Sequence, residues 1–298
     1  MSLSKNRAEE IIKSLVAEFN GVLVSAGEGM FIALDVDQLV CISADSNRLI
    51  SSLQANKEQI SDGIICKVCD LNNINAELVR RNIKWTTPSA VGNAKSKIVA
   101  VDESAKELES MSKQGIKPVF APQNPQEKNY RGFLDQLTWK VVQAGYKNGY
   151  AASAGLLQTE EEIVAALVLG YSQLTLDCTT KINIDTVGLS TEQLDEKYAA
   201  LPEDFRSKLE ASYLEKKFKT ADGNKIKFEL ADLKRIALTY AEVIVYARYV
   251  YSTYLNNTPW PVDFVIAMNT AKVPLTEQAS YLVLNELERL GVRASALD

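Results

Sequence analysis

The chain has 298 residues, enough for one large domain or two modest ones, and its 46% hydrophobic and 24% charged composition is that of an ordinary globular protein. Lys+Arg 33 against Asp+Glu 38 leaves a formal net charge of -5, so the chain carries no basic footprint for nucleic acid or an anionic membrane. It contains no histidine, which excludes Ser-His-Asp and Cys-His catalysis, imidazole zinc ligation and histidine acid–base chemistry; any reaction must run on carboxylates, Lys, Tyr, Cys or a bound cofactor.

In chain order, residues 3–19 read as a helix with Ile11, Ile12, Leu15, Val16 and Phe19 on one face. The charges Lys5, Arg7, Glu9, Glu10 and Lys13 interrupt it too often for a signal-peptide core. The runs GMFIALDV and QLVCISAD predict strands, followed by a helix near 45–60 and the strand GIICKVCD. Cys66 and Cys69 in that strand form a C-x-x-C, but zinc needs a second ligand pair and none is present. Two structural cysteines near a buried strand are the expectation. The stretch Ser25-Ala26-Gly27-Glu28-Gly29 holds only G-x-G and is no nucleotide fingerprint. With an amphipathic helix over 73–83, these elements define a small N-terminal α/β unit over 1–85.

From 86 to 298 strands and helices alternate, the pattern of parallel β joined by helices. The strand candidates are 87–92, 117–123, 149–155, 172–178, 262–269 and 292–298, with helices over 102–114, 130–146, 159–169, 229–255 and 276–290. Thr159-x-x-Glu162 is a capping box opening the third of these helices, whereas the stretch after Ser190-Thr191 lacks the matching acid. A charged helical insertion with a small hairpin at TADGNKIKF occupies about 183–228. The expected fold class is α/β: an incomplete, six-strand TIM-type β/α barrel behind a small N-terminal α/β unit. The longest apolar stretches, EEIVAALVLGY and AEVIVYARYVY, fall short of the ~18 residues of a spanning helix. Four scattered cysteines are too few for a disulfide scaffold. The expectation is a cytoplasmic protein with no membrane and no nucleic-acid partner.

The segment from KPVFAPQNPQEKNYRGFLDQLTWK to LTLDCTTKI resembles the tagaturonate/fructuronate epimerase family of hexuronate enzymes. So do EKYAALPEDFRSKLEASYLEKKFK and PVDFVIAMNTAKVPLTEQASYLVLNELERLGVRASALD. The spacing of Phe120-Ala121, Thr138-Trp139, Gly145-Tyr146, Gly149-Tyr150, Thr175-Leu176-Asp177, Pro274 and Leu287–Gly291 carries the resemblance across roughly 87–298. It implies a metal-dependent barrel enzyme of carbohydrate metabolism that inverts one carbinol centre of a keto-hexonate. It also implies that the family continues well beyond residue 298, with further His-bearing motifs.

This sequence departs from that pattern where the chemistry sits. The family's Asp-His pair at a strand end is replaced by Ala152-Ser153-Ala154-Gly155-Leu156. The later acidic run is replaced by Met268-Asn269-Thr270-Ala271-Lys272. A divalent metal needs converging carboxylates or imidazoles, and epimerisation needs a base and an acid on opposite faces of the reacting carbon. Ser153, Gly155, Leu156, Asn269 and Thr270 supply neither. No metal is expected on this chain alone, although the family uses a divalent one.

The remaining substrate-binding candidates are Gln123, Asn124, Arg131, Asp177, Asn269 and Lys272. Asp177 reads either as an acceptor for a sugar hydroxyl or as an Asx cap for the turn Cys178-Thr179-Thr180. Gln123 and Asn124 follow a strand and suit a polyol, or are ordinary loop polarity. Arg131 and Lys272 suit a carboxylate, or are solvated charges. Tyr240, Tyr246, Tyr249, Tyr251 and Tyr254 form a helical aromatic stripe of the kind used for packing or an interface. Three readings stand: a catalytically impaired homologue or non-catalytic subunit, an active epimerase or isomerase completed by another chain, and an unrelated enzyme on the same barrel. Exposed sheet edges are expected to bring a homo-oligomer or a companion polypeptide.

Overall fold

A computed structural model describes residues 3–124, 128–220 and 223–297. The chain packs as two compact units, Met1–Gly155 with Ala165–Ser172, and Leu156–Val164 with Gln173–Asp298.

In the first unit, α1 (Lys5–Leu15) starts where the Ser4 hydroxyl accepts from the Arg7 N–H. Five strands follow: β1 (Val24–Gly27), β2 (Met30–Asp35), β3 (Gln38–Ser43), β4 (Ala55–Ser61) and β5 (Ile64–Asp70). They form an antiparallel sheet in the order β1-β2-β3-β5-β4. Alternation sorts the side chains into two cores. Ile32, Leu39, Cys41 and Cys69 pack on one face with α3 (Asn73–Asn82). Ala33, Val40, Ile42, Cys66 and Val68 pack on the other with α1. Cys66 and Cys69, three residues apart in one strand, therefore point into different cores. They cannot bridge or share a ligand, as expected for structural cysteines.

The helix expected near 45–60 is only α2 (Arg48–Ser52); the rest is β4. This strand is almost wholly exposed and polar, so it lacks the apolar alternation that marks a strand. It is held by a hairpin at Asp62-Gly63, both at positive φ (51° and 78°), the arrangement an Asp-Gly turn favours. The strand expected at 87–92 is likewise absent. Thr87-Pro88 interrupts the ladder potential there, and the strand is instead β6 (Ser96–Val99).

Beyond β6 come α4 (Ala105–Lys113), β7 (Lys117–Phe120), α5 (Tyr130–Ala144), β8 (Ala151–Leu157), α6 (Glu160–Leu169) and β9 (Gln173–Asp177). The 183–228 insertion folds as α7 (Thr191–Ala199), α8 (Glu203–Tyr213) and the hairpin β10 (Lys217–Lys219) with β11 (Lys225–Lys227). Residues 221 and 222, between these two strands in sequence, lie outside the described residues. The Ser190 cap is a full capping box after all, closed by Gln193 instead of an acid. Next come α9 (Leu230–Val250) with a π-helical turn over Tyr251–Leu255, β12 (Asp263–Ala267), α10 (Glu277–Arg289) and β13 (Ala296–Leu297).

Six strands form one sheet in the order β13-β12-β9-β8-β7-β6, and the pairings β6–β7, β7–β8, β9–β12 and β12–β13 are all parallel. This is the expected incomplete TIM-type β/α barrel. The edges are β6 and the two-residue β13; Asp298, the last residue of the expected terminal strand, lies outside the described residues.

Candidate functional site: the carboxyl ends of the barrel strands

Barrel chemistry sits at the C-terminal ends of the strands. In the second unit, β9 ends at Asp177, and both its carboxylate oxygens are engaged. Oδ1 accepts from the Thr179 N–H at 3.0 Å and the Thr179 hydroxyl at 2.6 Å, while Oδ2 accepts from Gln158 Nε2 at 2.9 Å. This is the geometry of an Asx cap for the following turn. Gln158 follows β8 and precedes the Thr159–Glu162 capping box, in which the Thr159 hydroxyl accepts from the Glu162 N–H at 3.3 Å.

Beside it, Glu160 accepts from two phenols. The Tyr249 hydroxyl donates at 3.2 Å, and the Tyr254 hydroxyl donates to the same carboxylate. In an α-helix, residues five apart diverge by about 140° beyond a full turn. The π turn, with its Asn256 N–H to Tyr251 carbonyl bond at 2.9 Å, widens the helix between these tyrosines and lets both reach one acceptor. The bond to Glu160 pushes the Tyr254 phenol up, so it stays a donor. Lys181 is committed in turn, 3.0 Å from Glu242 and 5.2 Å from the Tyr246 ring centre; the Glu242 bond raises its pKa.

At the end of β12, Asn269 and Lys272 are exposed, and the Thr270 hydroxyl accepts from the Val273 N–H at 3.1 Å. In the first unit, Gln123 and Asn124 lie exposed just past β7. Arg131, exposed, pairs with the half-buried Glu77 at 3.3 Å. The six residues singled out from sequence thus divide three and three between the units. Sequence reasoning missed Gln158, Glu160 and Lys181. Gln158 precedes and Glu160 lies within a capping box that was visible, but their partners lie too far along the chain for local spacing to reveal.

At the matched strand ends, Ser153 is buried, Gly155 has no side chain and Leu156 is apolar. Among the described residues, no three His, Cys, Asp or Glu side chains converge in a way that could hold a metal ion. Hydroxyls and amides are poor substitutes for the anionic or imidazole donors that a catalytic divalent metal needs, so the donor set here does not fit one.

Fold and site together define an incomplete TIM-type β/α-barrel protein whose strand ends carry amides, hydroxyls and internally committed charges. The profile of the tagaturonate epimerase family, UxaE, matches residues 24–298. The chain belongs to that family. It is 26% identical over 250 residues to the tagaturonate/fructuronate epimerase of Thermotoga maritima, covering 81% of this chain and 51% of that protein. Crystal structures of the fructuronate-tagaturonate epimerase UxaE from Cohnella laeviribosi superpose with a TM-score of 0.79 at 26% identity, one native and one with glycerol bound. They cover 98–99% of this chain and 61% of theirs. The chain therefore spans about half the length of the curated relative and three-fifths of the solved ones. Among the described residues, no helix is long and apolar enough to cross a membrane.

Proposed function

We propose that this chain is a hexuronate-binding member of the epimerase family that does not turn substrate over by itself. It would act as a catalytically impaired homologue or as the non-catalytic subunit of a cytoplasmic assembly. The observation that carries this reading is the state of the strand ends. Asp177, the acid retained there in the matched region, is engaged by Thr179 and Gln158, and Ser153, Gly155, Leu156 and Asn269 stand where ligating side chains are needed. A keto-sugar acid presents hydroxyls and a carboxylate, which Gln158, Asn269 and Lys272 of the second unit are chemically suited to meet. Elemental analysis of the purified, dialysed chain tests the reading. It predicts no stoichiometric divalent metal; about one equivalent of zinc, nickel or manganese per chain overturns it.

A second reading has its own support. The chain spans half of its curated relative, and among the described residues β6 and β13 are the two edge strands of the six-stranded sheet. A companion polypeptide adding strands there would complete an active epimerase. Restoration of turnover on adding such a partner, with the chain inert alone, favours this reading over a purely impaired homologue.

A further inference from the structure

The first unit contains two Asn-Gly pairs, Asn20-Gly21 and Asn148-Gly149. Asparagine amides are thermolabile, and a following glycine makes them more so. Glycine has no Cβ to hold its N–H away from the preceding carboxamide, and its backbone turns freely.

The two pairs sit in opposite environments. Asn20 is held. Its backbone N–H donates to Asp35 Oδ1 at 3.1 Å, and its Nδ2 donates to the Glu18 carbonyl at 2.9 Å, which turns the carboxamide back along the chain. Gly21 is wedged as well: a Cβ there would come within 2.6 Å of the Leu34 carbonyl oxygen and 2.7 Å of the Phe19 ring. Asn148, by contrast, is exposed. Among the described residues neither its side chain nor the Gly149 N–H makes a hydrogen bond. Gly149 has φ 79°, and a Cβ there would meet only Lys117 Cε, at 3.8 Å.

The residues around Asn148 are fixed. Tyr146 is buried, and its N–H donates to the Val141 carbonyl at 3.1 Å in the turn that ends α5. Lys147 Nζ donates to the Ser25 carbonyl at 2.6 Å. Tyr150 is fully buried, its hydroxyl donates to the Thr86 carbonyl at 2.5 Å, and its ring meets Phe120 edge-on. Its carbonyl accepts from the Ser89 N–H at 2.8 Å, and β8 begins at the next residue. Asn148-Gly149 is thus a short free span between two anchored tyrosines, which must absorb any change in its length.

From this contrast we infer that Asn148 is a site of spontaneous deamidation and isoaspartate formation, and that Asn20 is protected by the fold. The Gly149 nitrogen attacks Asn148 Cγ, and the new N–Cγ bond closes a succinimide. The Cγ–Nδ2 bond breaks, and ammonia leaves with the proton given up by the Gly149 nitrogen. Solvent water then opens the ring. Opening at Cγ leaves aspartate. Opening at the Asn148 backbone carbonyl carbon leaves isoaspartate, in which the chain runs through Cβ and Cγ and is one atom longer. That extra atom falls just before Tyr150, so the isoaspartyl form loosens the Tyr150–Thr86 anchor and the start of β8.

Incubating the full chain at pH 8 and at pH 6, with peptide mapping by mass spectrometry over time, tests this. Acid forms should accumulate at Asn148 while Asn20 stays an amide, faster at pH 8 because the Gly149 nitrogen attacks once it loses its proton. In urea both pairs should convert at comparable rates. Aged wild type should melt at a lower temperature than fresh protein. Aged Asn148→Gln and fresh Asn148→Asp should both melt like fresh wild type, since neither lengthens the backbone. Asn20 converting as fast as Asn148 in the native chain, or Asn148 staying an amide there while it converts in urea, overturns the site. An isoaspartate-rich protein that melts like fresh protein, or an equal loss in fresh Asn148→Asp, overturns the effect on the Tyr150 anchor.

Discussion

Arg80 Nη2 lies 2.8 Å from Asp135 Oδ1, with both side chains largely buried between α3 and α5. The guanidinium also donates to Thr138 Oγ1 at 2.7 Å and to the Leu134 carbonyl at 3.2 Å. Burial pushes the Asp135 carboxyl up while Arg80 pulls it down, so the pair is stable only as a pair. Arg80→Met should therefore cost about 3–5 kcal/mol in urea unfolding, because it strands a buried carboxylate. The double variant Arg80→Met, Asp135→Leu should recover most of that loss. A loss below about 1 kcal/mol in the single variant means that the contact is a solvent-screened pair.

Gly145 ends α5 in the left-handed region at φ 59°, and a Cβ there would come within 3.2 Å of Val24 Cγ2. Gly145→Ala should destabilise by about 1 kcal/mol or more, read as a lower Tm, through backbone strain and the close contact together. An unchanged melt contradicts the left-handed cap.

All four cysteines are buried and free. Burial pushes Cys66 up to about 11 and Cys69 and Cys178 up to about 12, from an ordinary value of 9.0. A disulfide-exchange dye at pH 8 should label none of them in the native protein and all four in urea. The folded thiols keep protons that unfolded thiols release. Their contribution to stability is thus complete below about pH 9 and is lost as pH rises toward 11–12. Fast native labelling of any cysteine contradicts the burial.

Much of this was legible in the sequence, and the failures have physical causes. The barrel strands around Val119, Leu174 and Phe264 are buried apolar runs between helices, and their periodicity announces them. β4 was hidden because Asn56–Gln59 face solvent, although Asp62-Gly63 marked its hairpin. Asp177's engagement was open as one of two readings, since a cap needs only the next two residues. The Glu160–Tyr254 bond was not legible, because it depends on a π turn that no local pattern encodes.

The β6 edge exposes Ile98, and among the described residues β13 pairs through Ala296 and Leu297. Such edges invite pairing, so the chain should associate with itself or a companion. Sedimentation across a hundredfold dilution should show mass falling with concentration; a constant monomer mass at every dilution contradicts self-association.

The most direct test of the account is proton NMR of tagaturonate incubated with the isolated chain, supplied in turn with zinc, nickel and manganese. The account predicts no fructuronate above the protein-free blank with any metal, because among the described residues no set of His, Cys, Asp or Glu side chains converges to hold one. Metal-dependent appearance of fructuronate, scaling with the amount of chain, would contradict it.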